Sequence, residues 1–308
     1  MISVIIPYRN AAATLDRAIR SVVEQTEGEW ELLLVDNNST DGGAQAAAAW
    51  QARYPARITC LRETRPGAPH ARNCGLAAAR GELVQFLDAD DELLPTKTAH
   101  QLRLMKRYSN GPIGGGYYYH DLRGRVEKIR PSEEPVWVCL IAGRIGITSS
   151  MLFRRAEVEA VGGWDPALAG SQEYDLLFRL AKAGYLPRPD PALLTRVYQQ
   201  PGSIGRSDRA VQLRAVYDLR ARIHDYLATE QTALFKQEQT PLDYHLFKSI
   251  RDLGVGEGVP IFHRHFPTGY HLPAEAPIGR LYAAVYRMLG FRVAGLVWAV
   301  WRKVVKSN

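Results

Sequence analysis

Leu83-Val84-Gln85-Phe86-Leu87-Asp88-Ala89-Asp90-Asp91 is the stretch on which the fold turns. A run of strand-forming apolar residues leads directly into three carboxylates in four positions. A folded protein tolerates that only where a cation or hydrogen-bond donors hold the charge. The run predicts a buried strand that delivers acid to a site. Two carboxylates at i and i+2 beyond a strand end can face one hard cation, Mg²⁺ or Mn²⁺, leaving coordination positions for phosphate oxygens. The same residues can equally be turn and N-cap residues for a helix starting near Pro95.

The segments upstream place this stretch in a repeating pattern. Residues 3–6 are a β-branched run ended by Pro7, as expected of a fully buried parallel strand. Leu15, Ala18, Ile19, Val22 and Val23 then recur at helical spacing. A second strand over 30–35 ends in the polar turn Asp36-Asn37-Asn38-Ser39-Thr40-Asp41-Gly42-Gly43. The alanine-rich helix over 44–54 can take its cap from Thr40 or Asp41. A strand over 58–61, a helix over 68–79 and a strand over 82–87 complete the series. Short loops between alternating strands and helices imply an α/β fold, with a mostly parallel sheet covered by helices on both faces. In such sheets ligands bind beyond the carboxyl ends of the strands. Pro7-Tyr8-Arg9-Asn10, Asp36 and Asp88-Ala89-Asp90 all fall there. Neither G-x-G-x-x-G nor G-x-x-x-x-G-K-[ST] follows the first strand, which excludes a dinucleotide fingerprint and a P-loop.

At 308 residues, 46% apolar and 23% charged, the composition is that of a globular protein with a sizeable core. The net charge of +7 suits an acidic partner. Nucleotide, nucleic acid and anionic lipid all meet that description, and no nucleic-acid partner is expected. Cys60, Cys74 and Cys139 are an odd number with no close pair, which argues against a disulfide framework or thiolate zinc site and agrees with a reducing cytoplasm. The first residues show no signal-peptide pattern, and no run of 18 uncharged apolar residues predicts a membrane span.

The motifs resemble those of the family 2 glycosyltransferases, which have the GT-A fold, Rossmann-like, and transfer a sugar from a nucleotide-diphosphate donor. Val4-Ile5-Ile6-Pro7-Tyr8-Arg9-Asn10 is similar to the family's opening strand and P-x-x-N turn. Val35-Asp36-Asn37-Asn38-Ser39-Thr40-Asp41-Gly42 is similar to V-D-D-G/N-S-x-D. Gly67-x-x-x-Ala71-Arg72-Asn73-x-Gly75 matches G-x-x-x-A-R-N-x-G, and Asp88-Ala89-Asp90 matches the metal-binding D-x-D. Further on, Gly162-Gly163-Trp164-Asp165 resembles G-G-F-D, and Gln172-Glu173-Tyr174-Asp175-Leu176 resembles the helix start that carries the family's catalytic base. The resemblance covers about residues 1–205. It implies that Pro7, Tyr8, Asn10 and Asp36 hold the nucleotide, and that Arg72 meets the diphosphate. Asp88 and Ala89 would line the donor site, with Asp90 and Asp88 on Mn²⁺ or Mg²⁺ and Trp164 stacked on a sugar face. The base falls on Glu173, where aspartate is usual, so Asp175 stays open as the alternative. In Val197-Tyr198-Gln199-Gln200-Pro201-Gly202-Ser203-Ile204, similar to Y-R-x-H-P-G-S-x, Gln200 replaces a histidine and Tyr198 an arginine.

The reaction implied is inverting, metal-dependent transfer from a UDP- or dTDP-sugar to an acceptor hydroxyl on a saccharide or lipid-linked acceptor. It belongs to cell-surface polysaccharide or glycan synthesis, in the cytoplasm or on the inner membrane face. Gln200 and Glu173 keep open a non-catalytic glycan-binding module. A sugar-phosphate nucleotidyltransferase would need a glycine-rich, lysine-bearing loop after the first strand, which Pro7-Tyr8-Arg9-Asn10 is not. Residues 206–308 form a second region with helical spacing over 211–227, 231–237 and 242–253, then a Gly/Pro-rich separator over 254–277. The last helix places Arg280, Arg287, Arg292, Arg302, Lys303 and Lys306 opposite Tyr282, Tyr286, Leu289, Val293, Val297, Val300 and Val304, with Trp298 and Trp301. Such a helix lies on a membrane surface or packs its apolar face on protein. His263 and His265 have no acidic or cysteine neighbour in sequence, and no metal site is expected of them.

Overall fold

The computed structural model describes residues 1–26, 28–200, 209–267, 270 and 280–306. The chain divides into two compact units, Met1–Ile204 and Gly205–Asn308. In the first, β1 (Ile2–Tyr8), β2 (Trp30–Asp36), β3 (Ile58–Arg62) and β4 (Leu83–Phe86) alternate with α1 (Leu15–Val23), α2 (Gly43–Arg53) and α3 (Ala68–Ala78). Then follow β5 (Glu92–Leu93), α4 (Lys97–Arg107), β6 (Ile113–His120), β7 (Val126–Ile129), α5 (Val136–Ala142), β8 (Met151–Arg154), α6 (Arg155–Ala160), α7 (Gln172–Lys182) and β9 (Arg188–Tyr198). The nine strands form one sheet in the order β3-β2-β1-β4-β8-β6-β9-β5, with β7 on β6. Strands β3 to β4 in that order are parallel, as their crossover helices require. Beyond β4 the pairing is mixed: β8 is antiparallel to β4 and β6, while β6 and β9 run parallel.

All seven residues of β1 are buried, which accounts for its unbroken apolar reading. Gly75 lets α3 lie directly on this strand, since a Cβ there would stand 2.4 Å from Ile5 Cγ2. Gly163 has φ +70°, and an added Cβ would meet Asn73 Oδ1 at 2.7 Å. That close approach is used: Trp164 N donates to Asn73 Oδ1 at 2.9 Å, and Asn73 Nδ2 donates back to Trp164 O at 2.7 Å. The Gly162–Trp164 turn is thus clamped onto α3.

Residues 148–150 are a 3₁₀ turn that leads into β8. The eleven-residue β9 carries Pro189 and Pro191, which argue against an internal strand. It is accommodated by register shifts against Gly115 and Gly116. The cap of α2 is Gly42, with Asp41 Oδ1 accepting from Gly43 N at 2.9 Å one residue earlier.

The second unit contains α8 (Arg209–Glu230), α9 (Thr232–Asp252), α10 (Val255–His265) and α11 (Arg280–Lys306). The Gly/Pro-rich separator therefore includes a helix. Gly258 gives it close contact with α9, since a Cβ would stand 2.6 Å from Ile250 O. Phe247, Phe262, Tyr282, Tyr286, Phe291 and Ala294 share one apolar core. Gly290, at φ 76° and ψ 176°, breaks α11, so the expected single amphipathic face does not run through it. Tyr282 and Tyr286 are core residues, whereas Leu289 and Val297 are exposed. The side chains of Arg280, Val300, Trp301, Arg302, Lys303, Val304 and Lys306 lie outside the described residues. No helix among the described residues is long and apolar enough to cross a membrane.

Candidate functional site

The loops after β1, β2 and β4 meet at the carboxyl edge of the parallel strands. Asp36 Oδ1 accepts from Ser39 N at 2.9 Å, which closes the turn after β2. Asn10 takes the left-handed conformation (φ 51°) and its Oδ1 accepts from Thr40 N at 2.8 Å. Ala12 N donates to Asp41 Oδ2 at 2.8 Å, so the first two loops are latched together. Tyr8, paired in register with Asp36, is buried, and burial together with the Asp36 charge pushes its hydroxyl pKa well up. Pro7 lies within β1. These positions form a rigid polar rim.

The acidic turn is held from three sides. Arg72 Nη2 donates to Asp88 Oδ1 at 2.8 Å, Arg72 Nη1 donates to Gln172 Oε1 at 3.5 Å, and the guanidinium lies 4.4 Å from the Trp164 ring centre. Ser149 Oγ accepts from Asp88 N at 3.1 Å and donates to Asp91 Oδ2 at 2.6 Å. Tyr198 N donates to Asp91 Oδ1 at 3.2 Å. Arg17 donates to the Asp90 carbonyl and stacks 3.9 Å from the centre of the Tyr198 ring. Ala89 is buried between the two acids it separates.

Charge is crowded here. Burial, then the neighbouring Asp88, push the Asp90 carboxyl up to about 6. Burial, then Asp88 and Asp90, push Asp91 well above the carboxylate range. Three carboxylates crowd one turn, with the Arg72 guanidinium on Asp88 and that of Arg17 beside Asp90, and oxygen donors this concentrated fit a hard divalent cation. Asp88 and Asp90 would hold it; Asp91, already bonded to Ser149 and Tyr198, positions the turn.

Glu173 is the second residue of α7, next to Gln172 and so to Arg72. Burial raises its carboxyl pKa, Arg72 pulls it back and Asp88 pushes it up further. The structure therefore brings Arg72, Asp88 and Glu173 into one electrostatic neighbourhood. Asp175 lies elsewhere, 200° around the helix from Glu173 at about 100° per residue. It is buried in an ion pair with Arg179 at 2.8 Å. Trp164 does not offer a stacking face for a sugar, because it is 1% exposed. Its ring centre lies 5.1 Å from that of Phe86 in a T-shaped pair, and its face carries Arg72. Arg17, Ser149 and the positioning roles of Gln172, Tyr198 and Asp91 were not read from sequence. Gln172 and Tyr198 lie within the family-like segments, and Asp91 is the third acid of the cluster, whereas Arg17 and Ser149 give no local signal. Gln200 is the last described residue before 201–208.

The Asp90 shift predicts a pH effect on metal-free protein. A folded-state pKa above the ordinary value near 3.8 means that the native state binds more protons between the two values. The associated stability is complete below pH 4 and is lost as pH rises through 6. From pH 5 to 7.5, wild type should lose about 1–2 kcal/mol relative to Asp90→Asn in urea unfolding. Equal pH profiles for the two proteins would contradict the crowding described above.

The family model described as glycosyl transferase family 2 matches residues 3–156, half of the chain. The chain belongs to glycosyl transferase family 2. An uncharacterized glycosyltransferase of Nostoc sp. is 33% identical over 177 residues, 54% of this family 2 chain and 54% of its own length. One from Haemophilus influenzae is 26% identical over 190 residues, covering 58% of this chain and 62% of its own length. The chain thus spans about half the length of the curated relatives it matches. Among solved structures, S. aureus TarS 1–349 with UDP-GlcNAc aligns at TM-score 0.63 and 15% identity, over 97% of this chain and 91% of its own. The mannosyltransferase PcManGT from Pyrobaculum calidifontis, with GDP-Man and Mn²⁺, aligns at TM-score 0.58 and 18% identity over 98% and 87%. These likenesses show the fold, which is the GT-A fold expected of family 2.

Proposed function

We propose that this protein is an inverting glycosyltransferase that moves a sugar from a UDP- or dTDP-sugar to a hydroxyl of a saccharide or lipid-linked acceptor, in cell-surface polysaccharide or glycan synthesis. The observation that carries this reading is the bridge made by Arg72. One guanidinium ties Asp88, on the donor side, to the start of α7 where Glu173 stands. Acid turn and candidate base are thereby fixed relative to each other, which transfer between two bound substrates requires.

In this reading the nucleotide lies against the Pro7–Asn10 and Asp36 rim, with Asp88 toward its sugars. Asp90 and Asp88 would hold Mn²⁺ or Mg²⁺, which would supply neutralisation of the charge that develops on the diphosphate. Arg72 offers charge-assisted donors to the same diphosphate. Glu173 takes the proton of the acceptor hydroxyl as that oxygen bonds to the anomeric carbon. The bond from that carbon to the diphosphate oxygen breaks on the opposite face, and its electron pair leaves with the diphosphate. A carboxyl raised by burial suits this task, because a base works best when its pKa approaches the operating pH. The UDP-GlcNAc of TarS and the GDP-Man and Mn²⁺ of PcManGT support a nucleotide-diphosphate donor with a divalent metal. Peripheral contact with the inner membrane face would use the exposed Met288, Leu289, Leu296 and Val297 beside Arg287 and Arg292.

The test is thermal unfolding against a panel of nucleotide diphosphates and nucleotide sugars, with and without Mn²⁺. One nucleotide series at 100 times its dissociation constant should add about 2.7 kcal/mol, and only with metal present. No stabilisation by any of them would overturn the reading.

A further inference from the structure

The second unit holds a histidine and carboxylate cluster that the transfer reaction does not use. His224 and Asp225 are consecutive on α8, and His265 is the last residue of α10. One ligand atom from each lies within 4.8 Å of the other two. His224 Nδ1 and His265 Nδ1 each stand 3.8 Å from Asp225 Oδ1. That is too long for a hydrogen bond, yet close to the spacing of about 3.3 Å between two ligands sharing a tetrahedral ion at 2.0–2.1 Å.

The groups behind the cluster set its chemistry. His224 Nε2 bonds Asp243 Oδ1 at 2.8 Å, and Tyr270 Oη donates to Asp243 Oδ2 at 2.7 Å. A carboxylate only accepts, so Nε2 is the protonated nitrogen, and the neutral imidazole of His224 would present its lone pair at Nδ1. That Nδ1 is buried with no hydrogen-bond partner, in a residue 8% exposed. A buried imidazole nitrogen left without a partner is costly unless something binds it. His265 Nε2 lies 3.0 Å from the Tyr217 hydroxyl, so its second nitrogen is also oriented from behind. Burial lowers the His265 pKa, Asp225 raises it, and His224 and Arg264 lower it. An imidazole backed by a carboxylate on the far nitrogen is the arrangement typical of metal-ligating histidines.

We propose that His224 Nδ1, His265 Nδ1 and the Asp225 carboxylate bind one divalent transition ion of the Zn²⁺ class, which clamps α8 to the end of α10. Two imidazoles and one carboxylate suit Zn²⁺ rather than the oxygen-seeking Mg²⁺ or Mn²⁺. Asp225 is exposed, which leaves a side for water as the fourth ligand. The carbonyl end of α10, at His265, adds favourable helix-dipole charge for a cation. The proposal does not depend on sugar transfer.

The full chain, stripped with a chelator, is titrated with ZnCl₂ and followed by calorimetry, metal analysis after gel filtration and thermal unfolding. Wild type and Asp90→Asn should each retain one Zn²⁺ and unfold at higher temperature with it. Asp225→Asn and His265→Gln should each bind Zn²⁺ at least tenfold more weakly. Co²⁺ in place of Zn²⁺ should give a visible absorption band in wild type that both variants lose. Asp225 is exposed, so its variant tests binding without a burial defect. Zn²⁺ affinity unchanged in Asp225→Asn and His265→Gln, or no Zn²⁺ retained by wild type, would overturn the site.

Discussion

Turnover in Glu173→Gln should fall about 10²–10⁴-fold, the usual contribution of a general base, while affinity for the nucleotide should stay within about twofold. Glutamine keeps the volume and polarity of the side chain but cannot accept the acceptor's proton. The loss should therefore appear in kcat, and the acidic limb of the pH–rate profile, set by the raised Glu173 carboxyl, should disappear. Asp175→Asn makes the contrast. It weakens a buried ion pair with Arg179, so its first effect is on stability. Initial rates with the donor identified by thermal screening, alongside UDP calorimetry, measure both. Wild-type turnover in Glu173→Gln would remove it as the base and return the assignment to Asp175.

Arg72→Met should cost about 2–3 kcal/mol in urea unfolding of metal-free protein. Removing one partner of a fully buried pair costs about 3–5 kcal/mol, and the Asp88 side chain, 38% exposed, keeps some water. Methionine preserves much of the packing on Trp164 but leaves Asp88 without its guanidinium partner, while Arg17 stays beside Asp90. Mn²⁺ should restore part of the loss, because a cation on Asp88 and Asp90 would neutralise the carboxylate that Arg72 pairs with. Arg72→Lys should not rescue, since one ammonium cannot span Asp88 and Gln172 while lying flat on an indole. An unchanged urea midpoint in Arg72→Met would show that the bridge contributes little.

Much of this architecture is legible in the chain itself, and the limits of that reading are physical. The first 91 residues alternate between fully buried strands and helices with short loops, so local pattern and tertiary structure coincide there. Strand β9 is hidden because its prolines are tolerated only through register shifts that its glycine partners on β6 allow. Trp164 reads as an exposed aromatic because it sits in a turn, yet Asn73, 91 residues earlier, pulls that turn into the core. Arg72 and Asp88 are each visible as polar residues beyond strand and loop, but their pairing is set by three-dimensional approach. The partners of His265 lie on α8, and no local spacing could have found Asp225. The break at Gly290 was equally invisible, since a helical wheel assumes an unbroken 100° step.

The hydrogen bond from Tyr198 N to Asp91 joins residues 107 positions apart. At a synthesis rate of about 5–20 residues per second, roughly 5–20 s separate the appearance of the acid turn from that of the strand that fixes it. During that interval the parallel strands up to β4 can fold locally, whereas the carboxylates wait for closure of a long loop. The ribosome-bound chain should therefore acquire its polar rim before its acidic turn, and the turn should be fixed only when β9 has left the exit tunnel.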